Sequence, residues 1–156
     1  MRTNNITPDE VLDSRDIIDR AQDLIESYLP KFNEHILATY PEAEEIDESD
    51  ALHDEPFLDW LKSLDYWDDD EEARELVALI EVWRECENYS DWSYGETLIR
   101  DDYFTDYTTE MLKDCGYIPQ DMPSWIEIDY EATADNVKVD YSQVEFMENT
   151  YWIRNC

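Results

Sequence analysis

Glycine is nearly absent from this chain: Gly95 and Gly116 are the only two in 156 residues. That excludes a glycine loop cradling a phosphate and disfavours a turn-rich all-β fold. Positive charge is scarce as well. Eleven Lys and Arg stand against 42 Asp and Glu, giving a formal net charge of −31. Nucleic-acid binders need a basic footprint, so direct nucleic-acid binding is excluded as a default, and an anionic membrane is disfavoured. No run of 18 apolar residues exists to cross a membrane, and Met1 to Glu10 lacks the basic-then-apolar pattern of a secretion leader. Cysteine is sparse and odd in number (Cys86, Cys115 and Cys156), which argues against a disulfide framework and fits a reducing cytoplasm.

Catalytic and metal chemistry find little to work with. His35 and His53 are far apart and have no partners at zinc-ligand spacing. The run Asp68 to Glu72 has oxygen ligands but neither the glycine nor the distal Glu of a calcium loop. No Ser is flanked by glycines and no Cys has a nearby His, so no nucleophile stands out. Carboxylate pairs are so numerous that none can be singled out as an acid/base couple. The expectation is a protein without catalytic residues, bound metal or cofactor.

What the chain does have is acid and aromatic residues together. Six Trp, eleven Tyr and four Phe accompany 42% hydrophobic residues, which separates it from a disordered acidic chain. The acid is unevenly placed: residues 41–80 hold 16 acids and 2 bases, net −14. A net charge of magnitude roughly 2–8 is usual for a small domain, and self-repulsion opposes folding, so this excess needs a cause.

Helical spacing dominates. Thr7-Pro8-Asp9-Glu10 predicts a helix start, followed by Ile17, Ile18, Ala21, Leu24, Ile25 and Tyr28 at helical spacing, with Asp16, Asp19, Asp23 and Glu26 on other faces and Pro30 as the limit. A second short helix carries Phe32, Ile36, Leu37 and Tyr40. After the acidic connection 41–55, Pro56 opens a helix with Phe57, Trp60, Leu61 and Leu64. The acidic run 68–72 leads into another, with Ala73, Leu76, Val77, Ile80 and Trp83. Asp101 or Asp102 is placed to cap a helix closed by Gly116, and Asp129 to cap one from Tyr130 to about Val137. Gln143–Phe146 and Tyr151–Arg154 read as two strands, a hairpin that needs helices or more sheet for support. The predicted fold class is α+β, mostly helical. An acidic helical region spans 1–92, and an α+β region with a small antiparallel hairpin or sheet spans 93–156, the two forming one compact unit.

The carboxylates can stand in for DNA phosphates. Duplex DNA carries one charge per ~1.7 Å of axis, so 31 charges match roughly 50 Å. Acids three or four apart on a helix lie about 5–6 Å apart. The candidate partner-binding surface comprises Glu42, Glu44, Glu45, Asp47, Glu48, Asp50, Asp54, Glu55, Asp65, Asp68, Asp69, Asp70, Glu71, Glu72 and Glu75, with Asp101, Asp102 and Asp106 as a second patch. Trp67 and Trp92, in less regular acidic stretches, are candidate exposed anchors, because Tyr and Trp are enriched at binding hot spots. Three alternatives stay open: a merely solvated or salt-adapted surface, an acidic adaptor that engages a basic protein through its aromatics, and a hydrolase using paired carboxylates. Crowded carboxylates should also raise one another's pKa values, so that moderate acid or salt stabilises the fold.

Residues 102–107 (Asp-Tyr-Phe-Thr-Asp-Tyr), 110–118 (Glu-Met-Leu-Lys-Asp-Cys-Gly-Tyr-Ile) and 128–132 (Ile-Asp-Tyr-Glu-Ala) resemble the C-terminal part of ArdA antirestriction proteins. There too a Tyr-rich helix ends near a Gly, before a loop, an Ile-Asp-Tyr and a closing hairpin. The similarity covers roughly 99–153. The whole chain is also similar to small acidic proteins of phages and mobile elements, through Asp13–Ile18, Tyr94–Asp101, Asp140-Tyr141, Val144, Phe146 and Tyr151–Arg154. The resemblance implies a DNA mimic, a homodimer, a location in the host bacterial cytoplasm, and a target among DNA-binding defence enzymes, whether restriction-modification complexes or CRISPR effectors. It adds weight to Asp101, Asp102 and Asp106.

Overall fold

The computed structural model describes residues 3–64 and 70–155. Its elements run β1 (Val11–Asp13), α1 (Ser14–Thr39), α2 (Glu48–Ala51), α3 (Glu55–Lys62), α4 (Glu71–Cys86), α5 (Trp92–Gly95), β2 (Thr97–Arg100), α6 (Phe104–Asp114), α7 (Tyr130–Val137), β3 (Tyr141–Phe146) and β4 (Asn149–Arg154). The fold is α+β and mostly helical, with one four-stranded antiparallel sheet in the order β1-β2-β4-β3. The expected hairpin is thus the C-terminal half of a larger sheet. Among the described residues, no helix is long and apolar enough to cross a membrane.

Alternate residues of the sheet serve two cores, as the two-residue period of a strand requires. Leu98, Val144, Phe146, Tyr151 and Ile153 join Leu24, Phe57, Leu76 and Ile80 in a large cluster shared with α1, α3 and α4. On the opposite face Ile99 packs with Phe104 and Ala134, beside Tyr103, Tyr107, Tyr141 and Trp152, under α6 and α7. The sheet is the middle layer, and the large core draws on residues from both sides of position 92.

Several local expectations are corrected. The first helix does not begin at Thr7: Asp13 caps it, accepting from the Arg15 N–H at 2.8 Å, and residues 3–10 form an irregular strap. The strap has stronger partners than a helix would offer. Arg20 donates to the Thr3 carbonyl at 2.8 Å and the Asn5 side chain at 2.7 Å, while Glu75 accepts from the Ile6 N–H at 2.7 Å. Nor does Pro30 end α1, which runs unbroken to Thr39. An internal proline costs about 3 kcal/mol, but Leu29 and Phe32 beside it are buried in the large core while Pro30 itself stays exposed. The second short helix is therefore the end of α1. Asp101 and Asp102 lie in a short 3-10 turn ahead of α6 and do not cap it.

Asp54, Asp70 and Asp129 cap α3, α4 and α7 with their side chains. Both glycines have positive φ, Gly95 at 113° and Gly116 at 80°, and the second closes α6 as expected. The β3–β4 hairpin turns on Met147 (φ 49°) and Glu148 (φ 67°), a two-residue turn with both residues left-handed. Such turns favour Asn-Gly, and left-handed backbone costs an L-residue about 1–2 kcal/mol. Glu148 is exposed. Glu148→Gly is expected to raise stability by about 1 kcal/mol, visible as a higher Tm; an unchanged or lower Tm would contradict the turn geometry.

Candidate acidic interface

The outer face of α1 presents Asp16, Asp19, Asp23 and Glu26 at intervals of three and four residues. These positions form one row on a helix. With the strap and Glu48, the row walls a cleft of ≈ 930 Å³. Asp23 accepts from the Thr3 N–H at 2.7 Å and the Thr3 hydroxyl at 2.9 Å, and these bonds hold its carboxyl below the usual range. The apolar spacing of α1 places this row in the sequence, but only the fold brings Glu48 of the connection to the same cleft.

The predicted acids separate by task. Glu42, Glu44, Glu45, Glu48, Asp50, Glu71 and Asp106 are exposed, and Glu72 is half-buried. Asp47 caps α2, and the Ser49 hydroxyl and Asp50 N–H lower its pKa. Asp54 and Asp70 are half-buried caps, and Asp70 also accepts from the Tyr28 hydroxyl at 2.8 Å. Glu55 pairs with Arg84 at 2.5 Å. Asp102 pairs with Arg100 at 2.6 Å, which lowers its pKa. Asp101 accepts from the Trp152 indole at 2.8 Å and lies 3.6 Å from Lys138. The second patch is therefore partly neutralised, with Asp106 its unencumbered member.

Two expectations are overturned. Glu75 is no surface acid: only 7% exposed, it forms a two-pronged salt bridge with Arg20, both contacts at 2.9 Å. Trp92 is no exposed anchor: 1% exposed, it packs near Trp83 in the large core. Burial in both cases follows from tertiary neighbours that local spacing does not reveal. Asp65, Trp67, Asp68 and Asp69 lie outside the described residues.

Of the described acids only Glu75 and Glu96 are buried. Arg15, Arg20, Arg84, Arg100 and Lys138 each contact a carboxylate, so much of the scarce positive charge is engaged within the molecule. Among the described residues no group of three or more His, Cys, Asp or Glu is arranged to hold a metal ion. The sequence reading also passed over Tyr117 and Trp125, which are 75% and 78% exposed. Their available signal was a local drop in acid content between 115 and 126.

Mutual repulsion is not the first cause of any resolved carboxyl pKa shift, though it adds to the raised values of Glu85, through Glu145, and of Glu96, through Asp91. Asp13 is lowered first by its bond with Arg15, and Asp23, Asp47 and Asp102 by the bonds given above. Glu85 and Glu96 are raised, first of all by burial. The raised groups contribute stability that is present below their ordinary value and lost as pH rises through the folded value; the lowered groups contribute stability lost as pH falls through theirs. Tm is expected to rise from neutrality to about pH 5 and to fall below about pH 4. Glu85→Gln and Glu96→Gln together should flatten the upper limb, and a Tm that falls steadily from pH 7 would contradict this assignment.

No family model, curated protein or solved structure matches the chain.

Proposed function

We propose that this chain is a DNA-mimic inhibitor of a phage or mobile element, which blocks the DNA-binding channel of a host defence enzyme without catalysis. The observation that carries the reading is the display of acid. Apart from Glu75 and Glu96 the described carboxylates reach the surface, over a core that draws on the whole chain. At 1.5 Å per residue the row from Asp16 to Glu26 spans about 15 Å of the helix axis of α1, a little under half of the about 34–36 Å of a turn of duplex DNA. The row is rigid, because the opposite face of the helix is packed. The resemblance of residues 99–153 to ArdA proteins points to the same reading. Restriction-modification complexes and CRISPR effectors are the target classes.

Competition tests the reading. The protein should displace duplex DNA from a purified enzyme of either class, with an affinity that falls steeply as salt rises. Stepwise replacement of Asp16, Asp19, Asp23 and Glu26, and of the acids from Glu42 to Asp50, by Asn and Gln should weaken binding with each charge removed. Affinity unchanged between low and high salt would sink the mechanism. An acidic adaptor remains the second reading. Trp92 no longer supports it; the exposed rings of Tyr94, Tyr117 and Trp125 do.

A further inference from the structure

The connection between α6 and α7 departs from the rest of the surface. Residues 115–126 carry one acid, Asp121, and no base, in a chain with 42 acids in 156 residues. Tyr117 (75%), Trp125 (78%) and Ile126 (39%) are three of the seven large apolar side chains exposed among the described residues. Pro119 and Pro123 are exposed beside them. The segment is also shaped by its own backbone. The Tyr117 N–H returns to the Leu112 carbonyl at 2.9 Å, and two turns follow, Met122 N–H to Pro119 carbonyl at 3.4 Å and Ile126 N–H to Pro123 carbonyl at 3.1 Å. Prolines that fix φ lower the ordering cost of binding. Exposed acids frame the island: Asp114 before it, Glu127, Asp129 and Glu131 after it.

We propose that residues 115–126 are an apolar docking loop, with Trp125 and Tyr117 as its anchors, that seats in an apolar pocket rimmed by Lys and Arg on a basic partner protein. Charge complementarity selects that occupant. A second copy would bring another −31 against the framing acids, and an anionic lipid surface or nucleic acid would be repelled likewise. Trp and Tyr are the residues enriched where interfaces concentrate their energy, and each buries about 150–250 Å². The inference rests on the proposed function only for the sign of the partner's charge. The acids would supply attraction that salt removes; the loop would supply affinity that salt leaves largely intact, and with it a means of choosing among basic surfaces.

The probes are two synthetic peptides of equal length and equal Lys content, one alternating Lys with Gly, the other an amphipathic Lys–Leu helix. Binding is measured at low and high salt for the full chain and for the double variant Tyr117→Ala/Trp125→Ala, whose thermal melts should coincide because both side chains are exposed. The wild type is expected to prefer the Lys–Leu peptide by roughly tenfold or more, with the preference kept at high salt. The variant should lose that preference while binding the Lys–Gly peptide as the wild type does. No preference in the wild type, or a preference that survives both substitutions, overturns the loop while leaving the proposed function standing. A Lys–Gly peptide bound no better at low salt than at high overturns the charge half of the proposal, and the proposed function with it. Sedimentation should show the same oligomeric state for the wild type and the double variant; a wild-type dimer dissolved by the double variant would assign the loop to a second copy and overturn the proposal.

Discussion

Glu75→Ala is expected to destabilise the fold by about 3–5 kcal/mol, read by urea denaturation at neutral pH. The substitution leaves the Arg20 guanidinium, 1% exposed, without the carboxylate that its Nε and Nη2 both reach at 2.9 Å. A guanidinium stays charged at neutral pH with or without a partner, so the buried charge loses its closest counterpart and keeps Asp23, 3.9 Å away, within ion-pair range. The Ile6 N–H loses its acceptor in the same step. Had Glu75 been one more surface acid, its removal would lower net charge and leave stability unchanged or slightly improved. A loss below about 1 kcal/mol would therefore return Glu75 to the outward array. The double variant Arg20→Met/Glu75→Leu should recover much of the loss, since a buried pair replaced by apolar groups of similar size is often neutral. Failure of that rescue would place the weight on the strap contacts of Arg20 to Thr3 and Asn5.

Trp92→Ala should cost about 3–5 kcal/mol through the cavity it leaves. The ring is 1% exposed, with its centroid 6.5 Å from that of Trp83. Its backbone carbonyl accepts from the Ser14 hydroxyl at 2.7 Å, which ties α5 to the start of α1. The indole Nε1 is buried without a hydrogen-bond partner among the described residues. Trp92→Phe removes that orphan donor along with part of the ring, so its cost should fall well below that of alanine. Any binding defect of Trp92→Ala should follow the unfolded fraction and vanish in the phenylalanine variant. A binding defect with unchanged stability would restore Trp92 as a surface anchor.

Elements encoded by neighbours in sequence were legible. Asp129 and Tyr130 announce α7, Gly116 closes α6, and the alternation around Val144, Phe146, Tyr151 and Ile153 declares the hairpin. The other half of the sheet was not. β1 and β2 are three and four residues long, and Val11–Asp13 becomes a strand only because Thr97–Ile99 lies beside it. Thr7-Pro8-Asp9-Glu10 is a sound helix start that distant groups override, through the bonds of Arg20 and Glu75 to the strap. Pro30 misled in the other direction, since burial around it outweighs one missing hydrogen bond. For the interface, composition reports how much acid exists but not which carboxylates are capped, paired or turned outward. Glu55, Glu75, Asp101 and Asp102 were indistinguishable from Glu42 or Asp50 until their partners were in view. Trp92 and Trp125 show the same limit: both lie in irregular, turn-rich stretches, and one is core while the other faces solvent.

The pairing of β1 with β2 sets a timetable for the newborn chain. Val11 meets Ile99, and the Arg100 N–H reaches back to the Glu10 carbonyl at 2.8 Å. At ~5–20 residues per second, several seconds of synthesis separate the first strand from its partner. The helices α1, α3 and α4 can collapse on one another in that interval, but the sheet, and both cores that meet on it, must wait for the last third of the chain. Contacts so distant in sequence slow folding. Until the β3–β4 hairpin is made, the chain is a strongly negative, half-assembled helical body whose self-repulsion keeps sister chains apart.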